Sequence, residues 1–311
     1  MGIFVGTDGR LRSGWRVALY LIVYMIGMLV LQSIVLGGYT TMVLIQGQET
    51  LRELTERLIA LNLPLWLLIA LKAVDLLWIL LLTWSFGRFL DRRPLAGFGL
   101  RRAPGWLQDI ALGLALGALQ MTLIVGIAWV AGTIEVAALP GPALGLRIRD
   151  AALGLVLFVL VAVGEELLFR GYVQTNLQEG RTSVGQAAPP AVALGVSALL
   201  FGLFHALNPN LTWIAMLNLI LAGVAFGVGY WATGTLWLPI AYHLSWNFVQ
   251  GSILGLPVSG MRYGGLVLIA DWDKMPWLTG HTFGPEGGLL ATAMLLATMG
   301  LFRWWGGKAD K

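Results

Sequence analysis

The chain contains no cysteine. Disulfides, thiolate metal sites and a cysteine nucleophile are therefore excluded, and cysteine usage says nothing about redox compartment. Charge is scarce as well. Only 12% of the 311 residues are Asp, Glu, Lys or Arg, against about a quarter in an ordinary soluble domain. Apolar residues make up 58%. So little charge over this length cannot clothe a globule in water, which leaves the bilayer as the solvent. Histidine is sparse too, with three in all, His205, His243 and His281. Any chemistry that needs imidazole must draw on these.

What the chain does have is a series of long apolar runs. Eight spans are expected, at about 16–37, 63–86, 107–131, 151–176, 187–206, 212–232, 235–252 and 287–304. The fold class is therefore all-α: a polytopic membrane helical bundle of about eight transmembrane helices. The first run, Val17 to Leu36, follows a polar stretch with Arg10, Arg12 and Arg16. It is expected to be a permanent span, because it is longer than a signal-peptide core. No internal repeat or low-complexity tract is evident.

The net charge of +4 resides in short connections between spans. That is how membrane topology is written, so a nucleic-acid partner is not expected. With the N-terminus inside, the inner segments hold Arg10, Arg12, Arg16, Arg88, Arg92, Arg93, Arg101, Arg102, Arg170, Arg181, Arg303, Lys308 and Lys311, which is 13. The outer segments hold Arg52, Arg57, Arg147, Arg149, Arg262 and Lys274, which is 6. The excess predicts that both termini are cytoplasmic, in an integral multi-pass protein of the cell (plasma or inner) membrane.

The chain divides into three parts. Residues 1–149 hold three spans and an amphipathic helix at 49–61, whose Leu51, Leu54 and Leu58 form one stripe suited to the outer interface. Residues 150–252 hold four spans. Residues 253–311 hold a long outer loop rich in Gly, Pro and Trp, which would cap the structure from outside, and the last span.

Ionisable groups within apolar runs are costly and persist only where something keeps them. Lys72 and Asp75 are three apart on the second span and can neutralise each other; this suits helix packing or, alternatively, an ion pathway. Glu165 and Glu166 stand side by side in VAVGEELLFRGY. Glu166 shares a face with Arg170, four residues on, whereas Glu165 is turned about 100° away and has no such partner. His205 closes the fifth span, and a lone histidine there is ordinarily a capping group. His243 and Asn247 are four apart on the seventh span, where interhelical hydrogen bonding is the ordinary explanation. Pro239 fits the first turn of that helix. His281, in the outer loop, is assigned no role. Measured along ideal helices, Glu165 lies roughly 16 Å and His243 roughly 12 Å from the inner face, and His205 roughly 22–27 Å. A shared pocket is compatible with these depths, with His205 its most displaced member.

Together the segments Glu165-Glu166-Leu-Leu-Phe-Arg170, Phe201-Gly-Leu-Phe-His205 and His243-Leu-Ser-Trp-Asn247 carry EExxxR, FxxxH and HxxxN in order on membrane helices. This resembles the CPBP intramembrane proteases, the family of the CAAX prenyl endopeptidase and the bacterial Abi proteins. The likeness covers residues 150–252, which it marks as the catalytic core. The loop end LTGHTFGPEGG is also similar to bacterial members. The resemblance implies that Glu165 and His205 hold and activate a water. His243 and Asn247 would stabilise the oxyanion, and Arg170 would orient Glu166 in support. The substrate implied is a membrane-associated or lipidated peptide, entering sideways or from the cytoplasm, with the lipid bilayer as the other partner. No cofactor is required on this mechanism. Glu165, His205 and His243 are also a zinc-type ligand set, so a metallopeptidase is the alternative, although no HExxH helix exists. From other classes, a non-proteolytic scaffold or self-immunity protein and a transporter also suit a polytopic chain with buried acids.

Overall fold

Lipid offers no partner for a backbone N–H or C=O, so apolar runs of this length must satisfy their hydrogen bonds internally as helices. The computed structural model describes residues 4–6, 9–136, 143–180, 190–267, 269–271 and 274–309. Its helices are α1 (Ser13–Ile45), α2 (Leu51–Ile59), α3 (Leu65–Phe86), α4 (Trp106–Val130), α5 (Leu144–Glu166), α6 (Thr175–Glu179), α7 (Pro190–Phe204), α8 (Trp213–Thr233), α9 (Trp237–Asn247), α10 (Pro276–Thr279) and α11 (Leu289–Ala309). Among the described residues, six helical stretches are long and apolar enough to cross a membrane: α1, α3 with its π-helical extension to Asp91, α4, the run from α5 through α6, α8, and α11. The other two expected segments are shorter helices, α7 and α9, the latter extended by a π-helical turn Phe248–Ile253. This is an integral membrane protein built as a polytopic helical bundle.

Three details differ from the sequence reading. First, a small antiparallel ribbon joins β1 (Glu135–Val136) to β2 (Ile269–Asp271). It ties the connection after α4 to the loop before α11. Second, the amphipathic helix is shorter than 49–61. It begins with a capping box, in which Glu53 N–H donates to Thr50 Oγ1 and Thr50 N–H to Glu53 Oε2. Leu54 is buried against Tyr39, Val43, Leu67 and Leu71, and Leu58 packs beside them. Leu51 stays 65% exposed, so only part of the stripe packs within the protein. Third, α7 begins at Pro190; the expected start at residues 187–189, together with Arg181 and Lys311, lies outside the described residues.

One end of the bundle carries the arginines. Arg16 pairs with Asp91 and Arg93 with Glu179, while Trp237 Nε1 donates to the Arg101 carbonyl. These contacts bring the start of α1, the ends of α3 and α6, and the start of α9 to one face. Just inside this face lies an aromatic layer. Tyr172 stacks on Tyr20 at 3.7 Å and lies against Phe98 at 5.5 Å and Phe86 at 5.9 Å. Opposite this end lie α2, the end of α7 and the long connection from Leu254 to Gly288.

The element that sets up the site is the stretch from α5 to α6. Between them, Leu167–Gln174 is π-helical and all eight residues are buried. Single π turns within helices occur often at functional sites. The π segment lies against α8, where Arg170 Nη2 donates to the Gly223 carbonyl (2.9 Å) and Gln174 Nε2 to the Gly227 carbonyl (3.2 Å). The same Gly223 lets α7 approach: a Cβ placed there would come within 2.8 Å of Ala198 Cα. The Gly223–Gly227 spacing thus serves close packing within the chain.

Candidate active site

Glu165 and Glu166 end the regular part of α5, and being consecutive they face different ways. Glu166 turns into the protein and is fully buried, as is Arg170. Arg170 Nη1 donates to Glu166 Oε1 at 3.1 Å. The guanidinium lies over the rings of Phe201 (4.5 Å) and Phe226 (4.9 Å). Two aromatic faces, a carboxylate and a backbone carbonyl together compensate a charge that would otherwise be untenable at zero exposure.

The same Glu166 oxygen reaches α9. His243 Nδ1 lies 3.0 Å from Glu166 Oε1, and against a carboxylate it is the ring N–H that donates. The imidazole also stacks on Phe226, with centroids 4.8 Å apart and planes 17° from parallel. Its orientation is therefore held on two sides, and Nε2 is the nitrogen left for other partners.

Glu165 faces a cavity of about 240 Å³ within the bundle, lined also by His205, His243 and Asn247. Glu166 and Arg170 do not line it. His205 Nδ1 is 2.7 Å from the carbonyl of Phe201, one helical turn back. A carbonyl only accepts, so Nδ1 carries the proton and Nε2 keeps its lone pair. That lone-pair nitrogen is 3.9 Å from Glu165 Oε2, and Glu165 Oε2 is a buried oxygen without a hydrogen-bond partner. At this separation the two do not bond directly, but one water can bond both.

The residues singled out from sequence thus sort into a cavity wall of Glu165, His205, His243 and Asn247 and a support of Glu166 and Arg170. The expected displacement of His205 is absent. The helix carrying Glu165 runs on to Glu179, so Glu165 lies roughly 21 Å from its inner end, and His205 roughly 22 Å from Pro190. His243 is only six residues into α9, but that helix starts inside the bundle, after the fully buried Leu236.

The zinc-type set is not gathered in this geometry. Among the described residues no three His, Cys, Asp or Glu side chains are grouped to hold an ion. Glu165 and His205 approach to 3.9 Å, and His243, with Nδ1 on Glu166, lines the same cavity.

The cavity also has walls that were not expected as part of a site. Lys72 and Asp75 line it, with Lys72 Nζ 3.9 Å from Asp75 Oδ2 and Tyr24 O–H donating to Asp75 Oδ1 at 3.1 Å. From the outer loop comes Glu286, on a 3₁₀ turn just before α11. Gln250 Nε2 donates to both Glu286 Oε2 and the Pro257 carbonyl, and Ser259 N–H donates to Glu286 Oε1 at 3.2 Å. Burial pushes the Glu286 carboxyl up to about 7, against the lowering effect of these donors. Sequence reasoning missed Glu286 because a glutamate in a loop breaks no rule, whereas a glutamate in an apolar run does. Gln250, three residues after Asn247 and seven after His243 on the same helix face, was the available signal. His281 lies outside the cavity lining.

Residues 147–249 match the family described as type II CAAX prenyl endopeptidase Rce1-like. The resemblance read from the three motifs therefore holds over this third of the chain, and the family is one of proteases. The chain is also similar to "Probable transporter YedE" of Escherichia coli (strain K12), with 29% identity over 183 residues. That likeness takes in 53% of this chain and 44% of the other, so the chain spans less than half the length of this relative. No solved structure matches.

Proposed function

We propose, taking as premise that residues 147–249 carry the CAAX-protease family segment, that the protein is an intramembrane endopeptidase of membrane-associated or lipidated peptides. The observation that carries this reading is the Glu165 carboxylate opposite the lone-pair nitrogen of His205, at water-bridging distance in a cavity within the bundle. In this mechanism a water held between them loses a proton to Glu165 as its oxygen attacks the peptide carbonyl. The carbonyl oxygen becomes an oxyanion, which accepts hydrogen bonds from the Asn247 amide and, from the imidazolium form of His243 with Nδ1–H kept on Glu166, from Nε2–H. The proton taken from water then passes to the leaving amine as the C–N bond breaks. Glu166 and Arg170 act through His243 and hold its ring. Donors pre-aimed at the oxyanion in a dry site are worth about 2.7–4 kcal/mol each. No step is routed through a metal. The proposed location is the plasma or inner membrane of the cell.

The likeness to a probable transporter, with Lys72 and Asp75 on the cavity wall, favours a second reading as a transporter. A pair of variants separates the two. In the purified protein, Glu165→Ala abolishes peptide cleavage while expression and insertion stay normal, and Asp75→Asn retains it. Cleavage undiminished in Glu165→Ala would sink the protease reading. Loss of function in Asp75→Asn, with Glu165→Ala silent, would favour transport.

A further inference from the structure

The two ends of the cavity differ in chain chemistry. Its floor is the buried π-helical segment after Glu166, with Arg170 and Gln174 at zero exposure. Beneath that, Tyr172 is sandwiched between Tyr20 and Phe98, all three fully buried. Leu236 closes the same layer from the start of α9. Among the described residues, none from the inner connections 87–105 and 234–236 lines the cavity. Beyond the floor come the ion pairs Arg16–Asp91 and Arg93–Glu179, then the exposed Arg88, Arg92, Arg101 and Arg102. An arginine excess of this kind marks the cytoplasmic face.

The opposite wall is made by the other ends of the helices. Asn208 comes from the turn after α7, and Ser259, Met261, Tyr263 and Glu286 come from the long connection between α9 and α11. These connections lie on the face that carries few basic residues.

We propose that the cavity is reached from the non-cytoplasmic side of the membrane. Its substrates are then membrane-tethered polypeptides that present the scissile segment on that side. Of the two routes expected from sequence, sideways or from the cytoplasm, the cytoplasmic one meets the buried aromatic floor. The word substrate rests on the hydrolase reading above; the side of access rests on the cavity walls and the arginines alone.

The chain has no cysteine, so a single introduced thiol reports its own surroundings. Met261→Cys and Asn208→Cys place the thiol at the mouth, Ala222→Cys places it on the cavity wall, and Arg102→Cys places it on the arginine-rich face. Each variant is expressed in membranes and treated with a charged, membrane-impermeant methanethiosulfonate, in right-side-out and in inverted vesicles. Unreacted thiol is then counted by its gel shift with a polyethylene-glycol maleimide. The expected result is loss of free thiol at positions 261, 208 and 222 in right-side-out vesicles only, and at 102 in inverted vesicles only. Modification of Ala222→Cys from the inverted side, or from neither side, overturns the proposal. So does modification of Arg102→Cys in right-side-out vesicles. Because labelling does not require cleavage, failure of the protease reading leaves this result standing, and the converse also holds.

Discussion

His205 Nε2 stands 3.9 Å from Glu165 Oε2, with the ring's other nitrogen committed to the Phe201 carbonyl. The two side chains come from different helices and neither satisfies the other directly. Such a pair can hold a third group between them, and the reaction proposed for the cavity depends on that.

If both residues serve one water, their losses do not add. Glu165→Gln and His205→Ala should each reduce kcat/KM by about 10²–10⁴-fold, the range for general acid–base groups. The double variant should be no worse than the poorer single one. Steady-state cleavage of a peptide substrate in detergent micelles measures all three. A double variant whose loss equals the product of the two single losses would mean that the residues act separately.

Arg170 is buried with an ion pair, a backbone acceptor and two aromatic faces. Removing Arg170 leaves the buried Glu166 carboxylate with only the His243 N–H as partner, and breaking a buried pair in this way costs about 3–5 kcal/mol. Arg170→Met should therefore lower the melting temperature in detergent sharply, whereas Glu165→Gln, on the cavity wall, should barely change it. Equal melting temperatures for Arg170→Met and the unsubstituted protein would remove the support role assigned here.

Glu286 gives the fold a pH dependence of predictable sign. Its carboxyl, in the loop outside the spanning helices, is raised by burial to about 7. A carboxyl raised in the folded state favours folding most below its unfolded value of about 4.3, and that stability is lost as pH rises through about 7. Thermal stability should fall from about pH 5 to pH 8, and Glu286→Gln should flatten that part of the curve. An unchanged slope in Glu286→Gln would show that other groups cause it.

Among the described residues no three His, Cys, Asp or Glu side chains are grouped to hold an ion, and the proposed water is activated by Glu165 and His205. Dialysis against a strong zinc chelator should therefore leave peptide cleavage intact. Loss of activity restored by added zinc would reinstate the three-ligand site, with His243 ligating through Nε2 while Nδ1 stays on Glu166.

Much of this molecule was legible because lipid is an unforgiving solvent. A run such as Val17 to Leu36 has to be a helix, and a charge inside such a run has to have a reason. On those grounds the eight spans and the pairs Glu166–Arg170 and His243–Asn247 could be read from periodicity alone. The rule failed where it did not apply. Glu286, in a loop, raised no alarm, and Lys72 with Asp75 read as a self-contained pair although both face the cavity.

The sequence by itself determined the element type, the number of spans and which polar residues share a helix face, since these follow from hydrogen-bond closure and a period of 3.6 residues. Only the tertiary structure decided that Glu166 serves His243 while Glu165 faces His205. Adjacent residues on a helix differ by about 100°, and which direction meets which neighbour depends on how α5 packs against α7 and α9. It also decided that a buried aromatic layer separates the cavity from the arginine-rich face. That follows from the stacking of Tyr20, Tyr172 and Phe98, residues far apart in the chain and brought together by packing alone.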